Sequence, residues 1–341
     1  MTINDHILSV FNDTMERDFA SHLAGQGVIA VGVSGGADSL ALCFLLAEYA
    51  QEKNVHIHAL TVDHGLRLEA AEEAAHVAML LKDVANVSHH ILKWDHDQKP
   101  DARIQEAARR ARYDLMSAYM RKNSIQHLFL GHHMADQAET FLFRLAKGSG
   151  LDGLSAMSAM QDMRGITLCR PLLGIDRQVL IDYCVAKDVK YIDDPSNKDE
   201  NFARIRLRNS MDALSEEGLT PKRLSVTAKR LSKAREALEV ISRQAYVDCI
   251  IEKEIDRIVF NLKALLRNPY EIVLRVFLMS VSDLNTDDGY GVRLERVESL
   301  CDDFMYQTSF RKRTLGGVIF ERDDKKGHFI LSKENAIMTR I

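Results

Sequence analysis

Two rhythms alternate along the first two thirds of the chain: short unbroken apolar runs, and longer stretches in which apolar residues recur at helical spacing. Ile7, Leu8, Phe11, Met15 and Phe19 set a helical period in the first 24 residues. A strand is expected from Val28 to Val33 (VIAVGV), followed by SGGADS and the helical run LALCFLLAEYA. The next strand is expected from Val55 to Val62 and runs into Asp63-His64-Gly65. A helix over about 68–82, a strand near Val87–Leu92, a helix over 102–122 and a strand in HLFLGHH from His127 continue the pattern, and a further helix begins near Asp136.

Strands alternating with helices predict right-handed βαβ units, and so an α/β fold with a parallel sheet and helices on both faces. Ligands of such sheets sit at the carboxyl ends of the strands. Three of the four expected strands end in unusual sequences, SGGADS, DHGLR and GHHMADQAET, and this convergence argues for one site. After about residue 215 the character changes. Leu219–Glu252 reads as a long helix opened by Thr220-Pro221, a favoured N-cap and first-position pair. Helices are expected near 271–282 and 292–305, and the end reads as a β-hairpin turning at Asp323–Gly327. The expected organisation is a catalytic domain over 1–215 and a smaller, mainly helical domain over 216–341. A length of 341 residues agrees with two domains.

Composition narrows the classes. With 46% hydrophobic and 28% charged residues the chain is not wholly disordered, and a net charge of −4 gives no global basic excess. The longest unbroken apolar stretch, Leu40–Ala47, falls far short of the roughly 20 residues that span a bilayer, so no membrane segment is expected. The start, MTINDHILSV, lacks the basic and apolar regions of a secretory signal. Five cysteines, odd in number and without a C-x-x-C pair, argue against a disulfide framework or zinc ribbon; a cytoplasmic setting is expected.

Ser34-Gly35-Gly36-Ala37-Asp38-Ser39 joins a strand to a helix. Two glycines permit a sharp turn and close approach of a ligand, and the free amides at the helix N-terminus favour an anion. The same residues would also serve as a plain strand-to-helix turn with Asp38 or Ser39 as cap. There is no G-K-[ST] ending and no G-x-G-x-x-G, so a Walker-type loop or a dinucleotide fingerprint is not expected. A carboxylate beside phosphates repels them unless a cation intervenes, so Asp38 suggests Mg²⁺.

S-G-G-x-D-S after a strand resembles the PP-loop ATP pyrophosphatases, whose fold is adenine nucleotide alpha hydrolase-like. Further blocks narrow the likeness: Val62–Arg67, Ala108–Tyr113, Gly131–Thr140, Lys147–Gly150, Arg170–Leu173, Asp194–Asn197, and Arg204, Arg206 and Arg208. In this order they resemble the tRNA(Ile)-lysidine synthase family across roughly residues 28–210. The resemblance implies use of ATP and free L-lysine to convert the wobble cytidine of a CAU-anticodon tRNA(Ile) into lysidine. Cytidine O2 attacks the α-phosphate and pyrophosphate leaves; the lysine amine then attacks base C2 and AMP leaves.

On that likeness Ser34, Gly35, Gly36, Ala37, Asp38 and Ser39 hold ATP, with Asp63 and His64 beside them. Asp38 and Glu139 are expected to hold Mg²⁺, with Asp136 as a third candidate three residues along the same helix face. Arg109 and Arg112, also three apart, are assigned to ATP phosphates or the transition state. His132 and His133 are given polar roles at the rim rather than a zinc site, with plain structural packing an equal alternative for His133. Lys147, Arg204, Arg206 and Arg208 are expected to bind tRNA. Nine basic against three acidic residues between Asn201 and Arg235 form a local electrostatic footprint for it. If extended, residues 204–208 would place the three arginines on one face. Phe260, Tyr270 and Phe277 are expected in a core rather than as base-stacking platforms.

One departure is Ala135, where the family usually has the first of two aspartates. It keeps alive the alternative of an ATP- and tRNA-binding module with altered catalysis. Other PP-loop tRNA-modifying enzymes are less favoured: a thiolase needs cysteine pairs, and an amidotransferase needs a glutaminase partner. A homodimer is left open.

Overall fold

The computed structural model describes residues 3–65, 69–94, 104–192, 203–284 and 292–334. Its chain divides into two compact units, 1–232 and 233–341.

The first unit is built on a six-stranded sheet. Its strands are β1 (Val28–Gly32), β2 (His56–Asp63), β3 (Val87–Lys93), β4 (His127–Phe129), β5 (Met160–Met163) and β6 (Ile166–Cys169), in the order β3-β2-β1-β4-β6-β5. All neighbours are parallel except β5, which closes the edge antiparallel to β6. The central strand β1 is buried along Ile29, Ala30 and Val31, which is why it reads as an unbroken apolar run rather than an alternation.

Helices α1 (Ile3–Asp18), α3 (Ala37–Lys53), α4 (Ala70–Leu81) and α8 (Arg177–Ala186) contribute to one core. It gathers Ile7, Phe11 and Met15 with Leu42, Leu46, Phe129 and Tyr183. On the other face α5 (Ile104–Lys122) lays Tyr113, Met116 and Met120 against Ala30, Leu60 and Leu128. The short helix α2 (Ala20–Leu23) leads into β1. A third cluster joins α6 (Met134–Leu145) and α7 (Leu151–Leu154) to α9 (Ala203–Asn209), α10 (Met211–Glu216) and the start of α11 (Pro221–Cys249) through Phe141, Leu142, Leu207 and Leu224.

Because β2 and β3 lie to one side of β1 while β4, β6 and β5 lie to the other, the chain reverses its direction of travel between β1 and β4. Loops leaving these two strands part company there and open a crevice at their carboxyl ends, the usual ligand position of an open α/β sheet. SGGADS leaves β1 and GHHMADQ leaves β4, so the crevice is flanked by the two blocks that carry the chemistry.

The second unit takes the C-terminal half of α11, whose start is capped as expected by Thr220, whose Oγ1 accepts from the Arg223 amide. Strands β7 (Ile250–Lys253), β8 (Arg257–Asn261), β9 (Arg313–Leu315), β10 (Val318–Asp323) and β11 (His328–Lys333) form a sheet ordered β7-β8-β11-β10-β9. The hairpin expected at the end is β10–β11, paired from Val318↔Lys333 to Asp323↔His328. It is one part of a five-stranded antiparallel sheet, more β-structure than the pattern disclosed. With α12 (Leu262–Leu266), α13 (Tyr270–Leu284) and α14 (Leu294–Tyr306), the sheet buries Phe260, Phe277, Phe304, Phe320 and Phe329. Phe260 and Phe277 are therefore core residues, and Tyr270 packs against the same core.

All five cysteines are free and buried. Among the described residues no helix is long and apolar enough to cross a membrane.

Candidate functional site

The loop after β1 is shaped by its glycines and serines. Gly35 takes φ +87°, and a β-carbon there would meet Ile192 Cδ1 at 2.8 Å. The Ile192 amide also donates to Gly35 O at 2.9 Å, so the turn is held from behind. Ser39 Oγ accepts from the Ser34 amide at 3.1 Å and donates to Gly36 O at 3.0 Å, folding the first turn of α3 back onto the loop. The second glycine position that matters is Gly131, at the end of β4. A β-carbon there would lie 2.9 Å from Asp38 O and 3.1 Å from Ser39 Cα. Only glycine lets the two loops of the crevice come this close.

Asp38, in the first turn of α3, has its Oδ2 3.6 Å from His133 Nε2 and 3.5 Å from Arg177 Nε. Its Oδ1 is buried with no hydrogen-bond partner. Burial pushes its pKa up, but His133 and Arg177 prevail and hold it below the ordinary aspartate value. Asp136, in the first turn of α6, accepts from the His133 amide at 2.9 Å and stands 3.5 Å from the His133 ring. Burial disfavours a charged His133, yet the Asp38 and Asp136 carboxylates outweigh it and raise its pKa above the usual histidine range. His133 is thus the link between α3 and α6, 3% exposed, rather than a rim residue. Of residues 135 and 136 it is Asp136 that meets His133, so Ala135 leaves this group intact.

Glu139, one turn further along α6, is buried and gives both oxygens to Arg208: Nε lies 2.6 Å from Oε1 and Nη2 3.1 Å from Oε2. Here the extended reading of residues 204–208 is corrected. They belong to helix α9, where residues two apart point to different sides, so Arg206 does not share a face with Arg208. Arg208 turns inward to Glu139, and Arg206 is exposed. The side chain of Arg204 and the block Asp194–Asn197 lie outside the described residues. Asp38, Asp136 and Glu139 all act on the Arg208 charge. Among the described residues no three acidic, histidine or cysteine side chains are placed to close on a metal as they stand.

On the β2 side, Asp63 Oδ1 accepts from the Gly65 amide at 3.0 Å and shapes the turn ending that strand. His64 Nε2 lies 3.2 Å from Arg112 Nη2, and since a guanidinium only donates, the ring presents its lone pair. Burial and the Arg112 charge push the His64 pKa down to about 4. Arg109 lies over the Tyr113 ring at 5.2 Å and acts on His132, whereas Arg112 reaches His64. Lys147 lies 4.9 Å from the Phe143 ring centroid.

Two residues at the crevice carry no role in the sequence reading. Arg177 is the first residue of α8, after the N-cap Asp176. A basic residue where the helix dipole disfavours one was the available signal. Arg170, at the end of β6, is 5% exposed; its motif was visible but its burial was not.

A PP-loop domain profile matches residues 5–214. A tRNA(Ile)-lysidine synthase of Bradyrhizobium sp. is 34% identical over 313 residues, covering 89% of this chain and 84% of the relative. The chain belongs to the tRNA(Ile)-lysidine synthase family. Another member, from a Wolbachia of Brugia malayi, is 35% identical over 274 residues, covering 80% of this chain and 62% of the relative. The chain thus spans about three fifths of the length of that synthase. A U34-tRNA thiolase from Methanococcus maripaludis, solved with its [4Fe-4S] cluster, superposes with a TM-score of 0.55 at 18% identity, over 66% of this chain and 78% of that one. That likeness is one of fold. As a PP-loop domain, the first unit is an ATP-binding one.

Proposed function

We propose that the chain ligates L-lysine to C2 of the wobble cytidine of a CAU-anticodon tRNA(Ile), consuming ATP and releasing AMP and pyrophosphate. The observation that carries this reading is the meeting of SGGADS with the GHHMADQAET block across the β1/β4 crevice, in a chain whose relatives bear that name. In the first step cytidine O2 attacks the α-phosphate, and pyrophosphate leaves. In the second the lysine amine attacks C2, and AMP leaves as a far better leaving group than the original oxygen.

The residues suit these steps. The Gly35–Gly36 turn and the N-terminus of α3 bind phosphate oxygens through backbone amides, with Ser34 and Ser39 as hydroxyl donors. Asp63 and His64 stand where β2 ends, on the side suited to the adenosine. The buried Asp38 Oδ1 is a hard oxygen lacking a partner, which fits Mg²⁺, and Asp136 is the second carboxylate in reach. Asp38 and Asp136 would hold the ion, and the chemistry it would supply there is neutralisation of the charge on the departing pyrophosphate. Glu139 would join it only by releasing Arg208. Arg112, beside His64, is placed to reach phosphate oxygens of ATP. The exposed Arg206, together with Lys147, adds positive charge for the tRNA.

The test is incubation with ATP, labelled lysine and CAU-anticodon tRNA(Ile), followed by nucleoside mass analysis. A lysidine product with stoichiometric pyrophosphate supports the proposal. Binding of ATP and tRNA with no pyrophosphate release would favour a module with altered catalysis instead.

A further inference from the structure

Arg170 is a buried cation whose hydrogen-bond partners are both neutral. Its Nη1 donates to Ser158 O at 2.8 Å and its Nη2 to Gln161 Oε1 at 3.0 Å. Its Nε is buried without a hydrogen-bond partner. Among the described residues no carboxylate is paired with it, and two of the charges that reach it, Arg109 and Arg144, have the same sign as its own. A guanidinium buried without a counter-ion is costly to fold around, and an anion supplied from outside removes that cost. A second observation points the same way. In the loop after the neighbouring strand β4, His132 Nδ1 is also buried without a hydrogen-bond partner. Burial, opposed by Asp136 and reinforced by Arg170 and Arg109, pushes the His132 pKa down to about 4, so the ring is neutral and carries one N–H to donate.

We propose that Arg170, Arg109 and His132 form a phosphate-oxygen site for the backbone of the RNA substrate, separate from the SGGADS loop. The position chooses between the two phosphate sources. β6 stands two strands from β1, about 10 Å away, on the side opposite β2. A nucleotide with its phosphates on the β1 loop and its adenosine toward β2 extends away from Arg170. The phosphate that reaches Arg170 is then one carried by the other substrate, which must bring an unpaired base into the crevice between them. Arg109, assigned to ATP phosphates by its helix face, belongs instead to this site. The inference rests on the tRNA reading of the preceding section.

The experiment compares wild type, Arg170→Gln and Arg109→Gln by their affinity for CAU-anticodon tRNA(Ile) across a salt series, and by their affinity for a non-hydrolysable ATP analogue and for pyrophosphate. Each variant is expected to bind tRNA about tenfold more weakly at low salt, the equivalent of one charge-assisted contact. Its log–log salt slope should shrink by about 0.7, the value for one single-strand phosphate. Analogue and pyrophosphate affinity should be unchanged. Replacing anticodon-loop phosphates one at a time by neutral methylphosphonates should reveal one position that weakens wild type but adds nothing to Arg170→Gln. Arg109 is exposed, so its variant keeps the test decisive even if Arg170→Gln does not fold. An unchanged tRNA slope in a folded variant overturns the inference, as does a loss confined to the analogue or pyrophosphate. If wild type itself binds no tRNA, the proposed function falls and this site falls with it. Wild type that makes lysidine beside unaltered variants sinks this site alone.

Discussion

The Arg208 guanidinium grips both carboxylate oxygens of Glu139 and so fastens α9 to α6 at the floor of the crevice. The Glu139 side chain is 6% exposed and that of Arg208 40%, so the pair is half in water. Arg208→Ala strands a buried carboxylate and is expected to cost about 2 kcal/mol, below the full value for a fully buried pair. The double variant Arg208→Ala/Glu139→Ala should recover part of that loss. Urea unfolding of wild type, the two single variants and the double variant measures it; a double-variant loss equal to the sum of the two single losses would show that the pair is not coupled.

Asp38→Asn should leave the fold intact and lower turnover by at least about a hundredfold, as expected for removing a group that positions charge in the transition state. It also removes the stronger of the two carboxylate influences on His133, so the His133 pKa should fall toward its ordinary value. Histidine NMR titration of the variant reads this independently of activity. A His133 signal that titrates as in wild type would refute the link between the two loops.

The two adjacent histidines predict opposite pH dependences. His132, held at about 4 when folded, has an ordinary value near 6.5 when unfolded. Between those pH values the unfolded chain binds more protons, so stability falls as pH drops through the window. His133 is raised, so its contribution is complete below about 6.5 and is lost as pH climbs through its folded value. Denaturant melts at pH 4.5, 6 and 8 should show His132→Asn relieving acid sensitivity and His133→Asn relieving the alkaline loss.

Gly131→Ala drives a methyl group against the backbone of Asp38 and Ser39. Since backbone cannot swing aside as a side chain can, a loss of about 1–3 kcal/mol is expected, with weakened ATP binding. Gly148→Ala, where a β-carbon meets open space but φ is +71°, isolates the backbone-strain part of such an effect. Calorimetric melts and nucleotide titration of both variants separate the two causes.

Arg206→Ala should weaken tRNA binding and flatten its salt dependence while ATP affinity stays constant. An unaltered slope would take Arg206 off the RNA surface.

Periodicity disclosed the parallel half of the sheet because β1 is an unbroken apolar run, β2 carries Ile57, Ala59 and Leu60 between polar ends, and each is followed by a helical stretch. It did not disclose β5 and β6, which are four residues long and joined at Arg164-Gly165, both with positive φ. An arginine where asparagine or aspartate usually marks such a turn hides it. The site was legible where motif and topology coincide, at Ser34–Ser39 and Gly131–Glu139. It was illegible where the function of a residue depends on what lies across the crevice. Nothing local distinguishes Arg208, which turns inward to Glu139, from Arg206, which is exposed, and the alternation of three arginines suggested an extended segment where a helix stands. Arg177 reaches the site from outside the blocks that pattern reading weighs, and Arg170, inside one of them, gives no local sign of its burial.

The sealed thiols give each half of the molecule its own alarm. Cys43, Cys169 and Cys184 lie in the first unit and Cys249 and Cys301 in the second, and burial pushes Cys43, Cys169 and Cys301 up to about 12 and Cys184 to about 11. An alkylating dye finds almost no thiolate to attack until a unit opens. Peptide mapping of dye-labelled protein during a slow denaturant ramp then tells which unit came apart first, without a single engineered probe.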